Sequence, residues 1–183
     1  MTRITILLFL LVVCITTALQ AQAPAPKPDP ALGKLHVWVG HWTFDGEQKP
    51  GPLGPGSKVA GECNCHMILG GFFLQCQVSG KVAESEMRVL EIYGYDPVNK
   101  NFPGEWYFGD GSRASWELTI AGNTSTWAGK WTLAGKQYPV KQNVVLAPDL
   151  ASQTLRSEIS VDGETWTPLF EMNWTKAKPA AKK

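Results

Sequence analysis

The stretch CNCHMILGGFFLQC, residues 63–76, carries three cysteines and a histidine within fourteen residues. It reads either as a metal or redox centre or as a β-hairpin, and the choice decides the fold. Gly70-Gly71 sits at its middle, and both residues tolerate the positive φ of a two-residue hairpin loop. Folding there sets Leu69 against Phe72, Met67 against Leu74, Cys65 against Cys76 and Cys63 against Val78. Side chains alternate between the two faces of a strand. One face therefore collects Cys63, Cys65, Met67, Leu69, Phe72, Leu74, Cys76 and Val78, all apolar. His66 falls on the other face with Asn64, Gln75 and Gln77, so ligation by the cysteines together with His66 fails on geometry. Cys-x-Cys also lacks the spacing of Cys-x-x-Cys zinc and redox motifs. The hairpin is preferred, and no metal is expected. The cysteines then act as small apolar residues facing a core. A cross-strand Cys65–Cys76 disulfide suits an oxidising compartment. In this register the pair sits at a hydrogen-bonded site, the less favourable kind, so bonded and free forms both stay open.

Two further stretches fold the same way. SWELTIAGNTSTWAGKW turns at Gly122-Asn123 and gathers Trp116, Leu118, Ile120, Trp127 and Trp131 on one face. LRSEISVDGETWTPLFEMNW turns at Asp162-Gly163, a strong hairpin dipeptide. Its apolar face holds Leu155, Ile159, Val161, Trp166, Phe170, Met172 and Trp174. More turns come at Asp96-Pro97, Gly109 to Ser112, Gly135-Lys136 and Pro148-Asp149. The result is about ten strands with short connections, hence antiparallel up-and-down neighbours. Strands with one apolar face each must bury it without leaving open edges. Closure into a barrel does both and leaves room for a small ligand; a two-sheet sandwich is the runner-up. The chain is thus read as all-β, an antiparallel barrel preceded by one short helix. That helix lies in DPALGKLHVWV, with Asp29 as N-cap, Pro30 at the first turn, and Leu32, Leu35 and Val39 on one face.

The ends are of another character. Arg3 precedes the apolar run ITILLFLLVVCI and the small-residue stretch ALQAQA, the pattern of a signal peptide over residues 1–21 cut after Ala21. The run is short for a membrane span, so no transmembrane segment is expected in the mature chain. Cys14 follows Val13, which departs from the lipoprotein pattern. Residues 22–29 form a Pro-rich linker, 30–176 the barrel and 177–183 a basic tail. The chain is expected to be secreted or periplasmic. A formal net charge of +1 argues against a nucleic-acid partner.

Gly40-x-Trp42 in VGHWTF, at the start of the first strand, resembles the calycin signature, in which the Trp closes the barrel floor. Together with GPLGPGSKV, LGGFFLQC, YGYDP and VDGETWTPLFEMNW, VGHWTFDGE resembles the bacterial domain-of-unknown-function 1579 family over residues 30 to 176. The resemblance implies a calycin-like barrel and brings no catalytic residues. A distant relation to nitrobindin-type barrels would imply haem held by a late histidine. The three histidines here, His36, His41 and His66, are all early, and no cofactor is expected.

Three functions remain. The first is a container for a small apolar or amphipathic molecule, lined by Trp42, Phe72, Leu74, Trp116, Leu118, Trp127, Trp131, Phe170, Met172 and Trp174. The second is a barrel enzyme, an isomerase or a haem-dependent catalyst. The third is an envelope interaction module with a filled core. The strand MRVLEIYGY, residues 87–95, bears on the choice, because it is apolar on both faces and one charge, Glu91 or Arg88, must point inward. A buried charge is costly without a partner, so these two are the polar candidates, ahead of Tyr107, Arg113 and Tyr138. No serine-hydrolase, phosphate-loop or zinc-protease motif occurs.

Overall fold

The computed structural model describes residues 25–177. The expected signal peptide, Cys14, the cleavage site, the start of the linker and nearly all of the tail lie outside the described residues.

Ten antiparallel strands follow one another: β1 (Gly40–Gln48), β2 (Ser57–Ile68), β3 (Phe73–Val82), β4 (Ser85–Tyr93), β5 (Phe102–Phe108), β6 (Arg113–Ala121), β7 (Thr124–Leu133), β8 (Lys136–Leu146), β9 (Ser152–Ile159) and β10 (Thr167–Lys176). Each pairs with its sequence neighbours, and β10 closes on β1 through Trp42↔Lys176 to Gln48↔Phe170. The fold is therefore the closed up-and-down barrel, not the sandwich.

The opening hairpin keeps its register, with Cys63 opposite Val78, Cys65 opposite Cys76 and Met67 opposite Leu74. Its turn is wider than two residues. The last ladder pair is Ile68↔Phe73, and Leu69–Gly71 form a 3-10 turn with φ of 49°, 71° and 93°. Widening the loop by two residues preserves the facing pairs but inverts which of them are hydrogen-bonded. The Cα–Cα distance at Cys65–Cys76 is accordingly 4.1 Å, near the spacing of about 4.5 Å for non-hydrogen-bonded pairs. Leu69 leaves the inner face and is 71 % exposed, and Phe72 stays in the turn.

The β6–β7 hairpin turns at Gly122-Asn123 in the predicted register, Trp116↔Gly129 and Leu118↔Trp127. The β9–β10 connection differs from its prediction. The Asp162 carboxylate accepts from the backbone N–H of Glu164 (2.9 Å) and Thr165 (2.7 Å) and from the Ser160 hydroxyl (3.1 Å). These bonds build a loop over residues 160–166, and pairing resumes at Ile159↔Thr167 with a bulge between Pro168 and Phe170. Val161 and Trp166 are consequently exposed, and the bulge turns Leu169 into the core. A further tight turn, Ala83-Glu84, is closed by Val82↔Ser85.

The N-terminal helix is a 3-10 helix, Pro30–Trp38, capped by Asp29 Oδ1 accepting from the Ala31 N–H at 2.8 Å. Three residues per turn place every third side chain on one face. The buried set is therefore Leu32, Leu35 and Trp38, with Trp38 in the place expected for Val39.

Gly61 and Gly80 face each other across β2 and β3, where a Cβ on either would collide with the carbonyl oxygen of Ser79 or Ala60. Only glycine permits this approach as the sheet bends. Outside, the barrel is polar, with Lys49–Glu171, Arg156–Glu171 and Lys141–Glu158 pairs on its surface. Apolar inside and polar outside is the reverse of a membrane-spanning barrel. No helix among the described residues is long and apolar enough to cross a membrane.

Candidate functional site

Up-and-down topology gives the barrel two unlike ends. At one, the 3-10 helix lies with the turns at 69–72, 94–101, 122–123 and 147–151. This end is shut. Trp42, 1 % exposed, donates its Nε1–H to the Trp38 carbonyl at 2.8 Å. Trp38 in turn donates its Nε1–H to Gln153 Oε1 at 2.8 Å. Lys176 Nζ donates to the Val37 carbonyl at 3.0 Å and stands 5.2 Å from the Trp42 ring centroid. His41 lies on the opposite side of β1 from Trp42, on the outer surface, with its Nδ1 3.0 Å from Asn64 Oδ1.

Above that floor lies a cavity of about 620 Å³, within the range of small-molecule sites. Its lining reaches Leu53, Ser85, Gly109 and Asp110, which places the mouth at the other end, among the 49–56, 83–84 and 109–112 connections. One wall is aromatic. The Trp106 ring centroid lies 5.0 Å from Trp116 and 6.0 Å from Trp127, and Tyr93 meets Trp127 edge-on at 5.1 Å. Nearer the mouth Phe108 stacks on Trp131 at 5.2 Å. Opposite, β10 contributes Phe170, Met172 and Trp174. The indole N–H groups of Trp116 and Trp174 are buried and find no acceptor among the described residues.

Of the two charged candidates on β4, Arg88 and Glu91, alternation turns Glu91 inward, between Val89 and Tyr93. Arg88 sits at the rim with its side chain 75 % exposed, beside Glu86 at 3.3 Å. Glu91 Oε2 accepts from the Tyr93 hydroxyl at 2.9 Å, and the Tyr93 oxygen accepts from Trp106 Nε1–H. No cation among the described residues pairs with it. Glu91 keeps some accessible surface because it faces the cavity, yet barrel side chains surround it. Burial raises its carboxyl from 4.5 to about 7, against the smaller lowering effect of the Tyr93 hydrogen bond. Burial also raises the Tyr93 phenol, and the neighbouring Glu91 charge adds to it.

Cys65 and Cys76 are joined as a disulfide, and Cys63 is free and buried with its Sγ 3.5 Å from that of Cys65. The three sulfurs lie within 4.8 Å of one another, so joint ligation of a metal requires the disulfide to open. Burial first, then the Glu91 charge, pushes the Cys63 thiol up, which disfavours the thiolate.

Trp42, Leu74, Trp116, Trp127 and Trp131 border the cavity, as do Glu91 and the three β10 side chains. Two predicted lining residues do not. Phe72 is held in the widened turn at the closed end, and Leu118 is fully buried opposite Phe102, beyond the cavity's reach. No histidine borders the cavity. Sequence reasoning missed Trp106 and the pairing of Tyr93 with Glu91. The alternation Phe102, Gly104, Trp106, Phe108 would have found the first, and the two-residue spacing on β4 the second.

Residues 27–176 match the family described as "Protein of unknown function (DUF1579)". The chain belongs to that family. Among solved structures, the crystal structure of Rv2717c from M. tuberculosis is similar, with a TM-score of 0.61 at 12 % identity over 83 % of this chain and 100 % of that one. At that identity the likeness concerns the fold of this DUF1579 chain. No curated protein matches it.

Proposed function

We propose that the protein is an exported lipocalin-like container that holds a small apolar or amphipathic molecule inside its barrel and performs no catalysis. The cavity of about 620 Å³ carries this reading: it is walled by aromatic rings, sealed at the Trp38–Trp42 end and open at the other. Apolar surface of this kind in contact with water favours an apolar guest. A core filled by its own side chains is at odds with that volume. Titration of the mature chain with N-phenyl-1-naphthylamine, a neutral apolar fluorophore, tests the reading. Saturable one-site binding with quenching of the tryptophans supports it, and no uptake up to the solubility limit of the probe counts against it.

The Glu91–Tyr93–Trp106 chain favours one alternative, a barrel enzyme that moves a proton at Glu91, since a carboxyl held near 7 suits general acid–base work. Turnover of a bound ligand that Glu91→Gln abolishes without loss of ligand affinity would support it over the container.

A further inference from the structure

The container reading leaves the chemistry of the guest open, and the inference here rests on that reading. The lining is mainly apolar and aromatic, with Gln142, Gln153 and Ser157 among its neutral polar side chains and Glu86, Arg88 and Asp110 toward the mouth, and on β4 a carboxylate points into it. Glu91 lies six residues along β4 from Ser85, and its cross-strand partner Trp106 lies three residues from Gly109, both at the mouth, so it sits roughly 10 to 20 Å along the strands from the opening. A carboxylate at that depth is costly unless a counter-charge and donors meet it. The barrel supplies one donor, the Tyr93 hydroxyl, itself oriented by Trp106 Nε1–H. It supplies no cation. Arg88 is at the rim beside Glu86, and Lys176 is held beneath the floor by the Val37 carbonyl. Aromatic side chains stand around the carboxylate. Trp106 is the cross-strand partner of Glu91, and Trp116, Trp127 and Tyr93 complete the aromatic cluster. A carboxylate set within a cluster of indole and phenol rings suits an organic cation, by direct charge and, over a ring face, through the ring quadrupole.

We infer that the guest is an amphipathic organic cation, whose ammonium-type head pairs with the Glu91 carboxylate beside Trp106 and Trp127 and whose apolar body runs toward the mouth. A carboxylate-headed guest such as a fatty acid would set two like charges together at this depth. A neutral guest would leave the ionised carboxylate with the Tyr93 hydroxyl and no counter-charge.

The test uses the full mature chain at pH 8 and three probes of equal chain length: dodecyltrimethylammonium and dodecanoate below their micelle concentrations, and dodecanol below its solubility limit. Affinities are read by tryptophan fluorescence and calorimetry for the wild type and Glu91→Gln. The ammonium should bind at least tenfold more tightly than the alcohol and more tightly still than the carboxylate. Glu91→Gln should erase that preference while leaving dodecanol affinity within about threefold. Should the variant fail to fold, the wild type provides the same comparison at pH 5.5, where protonated Glu91 should cost the ammonium most of its advantage over the alcohol. The other titratable group on β4 facing Glu91 is Tyr93, and β2 brings Cys63; burial keeps both neutral across this range, and Cys65 and Cys76 are tied in the disulfide. Equal or weaker binding of the ammonium than of the alcohol, or an ammonium preference that survives in Glu91→Gln, overturns the inference while the container stands. Binding of none of the three overturns both.

Discussion

Glu91→Gln should change how the stability of the barrel depends on pH, with a sign and size that follow from where the carboxyl sits. In the folded chain Glu91 holds its proton up to about pH 7, whereas in the unfolded chain it releases it near 4.5. Between those values folding takes up a proton, so the contribution of Glu91 to stability is highest below 4.5, falls as the pH rises, and levels off above 7. Each pH unit between the two pKa values is worth about 1.4 kcal/mol, so the carboxylate costs the folded state about 3 kcal/mol at alkaline pH. Most of that, roughly 2 to 3 kcal/mol, should appear between pH 5 and pH 8. Glutamine keeps an oxygen that accepts from the Tyr93 hydroxyl and carries no charge. The variant should therefore lack this component and gain on the wild type by that amount over the same interval. The carboxylates whose pKa values are lowered in the fold, Asp96, Asp110, Asp162 and Glu171, lose their contribution at lower pH and do so in both proteins. Urea unfolding of ligand-free wild type and variant at pH 5, 6, 7 and 8 measures the difference. Parallel pH profiles would refute the reasoning, because they would mean that Glu91 is not buried in the barrel and that the inward face of β4 has been misassigned.

Other substitutions probe the strands that frame the cavity. Gly70→Val meets no neighbouring atom but requires a branched residue at φ 71°, and should cost roughly 1 to 2 kcal/mol in urea unfolding; unchanged stability would refute the turn. Gly61→Ala has no room beside the Ser79 carbonyl, and should cost about 2 kcal/mol or more by the same assay. Thiol titration of the chain from residue 22 should give no rapidly reacting thiol when folded, one when denatured and three when denatured and reduced, since Cys63 alone is free and it is buried. Three thiols before reduction would show that Cys65 and Cys76 are not joined.

Much of the barrel is legible in the sequence because its strands alternate cleanly. Cys63, Cys65, Leu74, Cys76 and Val78 declare one inner face, and Trp116, Leu118 and Trp127 another, and glycine-marked turns fix the registers. The misreadings fall where local hydrogen bonding or backbone shape overrides alternation. Asp162-Gly163 looks like a two-residue turn, but the Asp162 carboxylate gathers the N–H groups of Glu164 and Thr165 into a wider loop and releases Val161 and Trp166 to solvent. The bulge that then places Leu169 inside is marked only by Pro168, which has no N–H to give the ladder. Ala83-Glu84 turns tightly with neither glycine nor proline, although Ala83 takes φ 52°. Phe72 shares the parity of the inner face but belongs to the turn. In the site, one inward charge on β4 follows from the pattern, and the inward position of Glu91 follows once the buried face is known. Its link to Tyr93 follows from the two-residue spacing on β4, whereas the further link to Trp106 depends on side-chain directions across two strands, which spacing alone does not supply.

The most direct test of the account is native mass spectrometry of the mature chain purified from its own host, followed by denaturing extraction of whatever it carries. The account predicts a discrete small molecule bound one to one, released when the barrel unfolds, apolar in its body and cationic at its head. A single mass for the bare chain that does not change when N-phenyl-1-naphthylamine is added would contradict it, and would mean that the interior of the barrel is not a binding site.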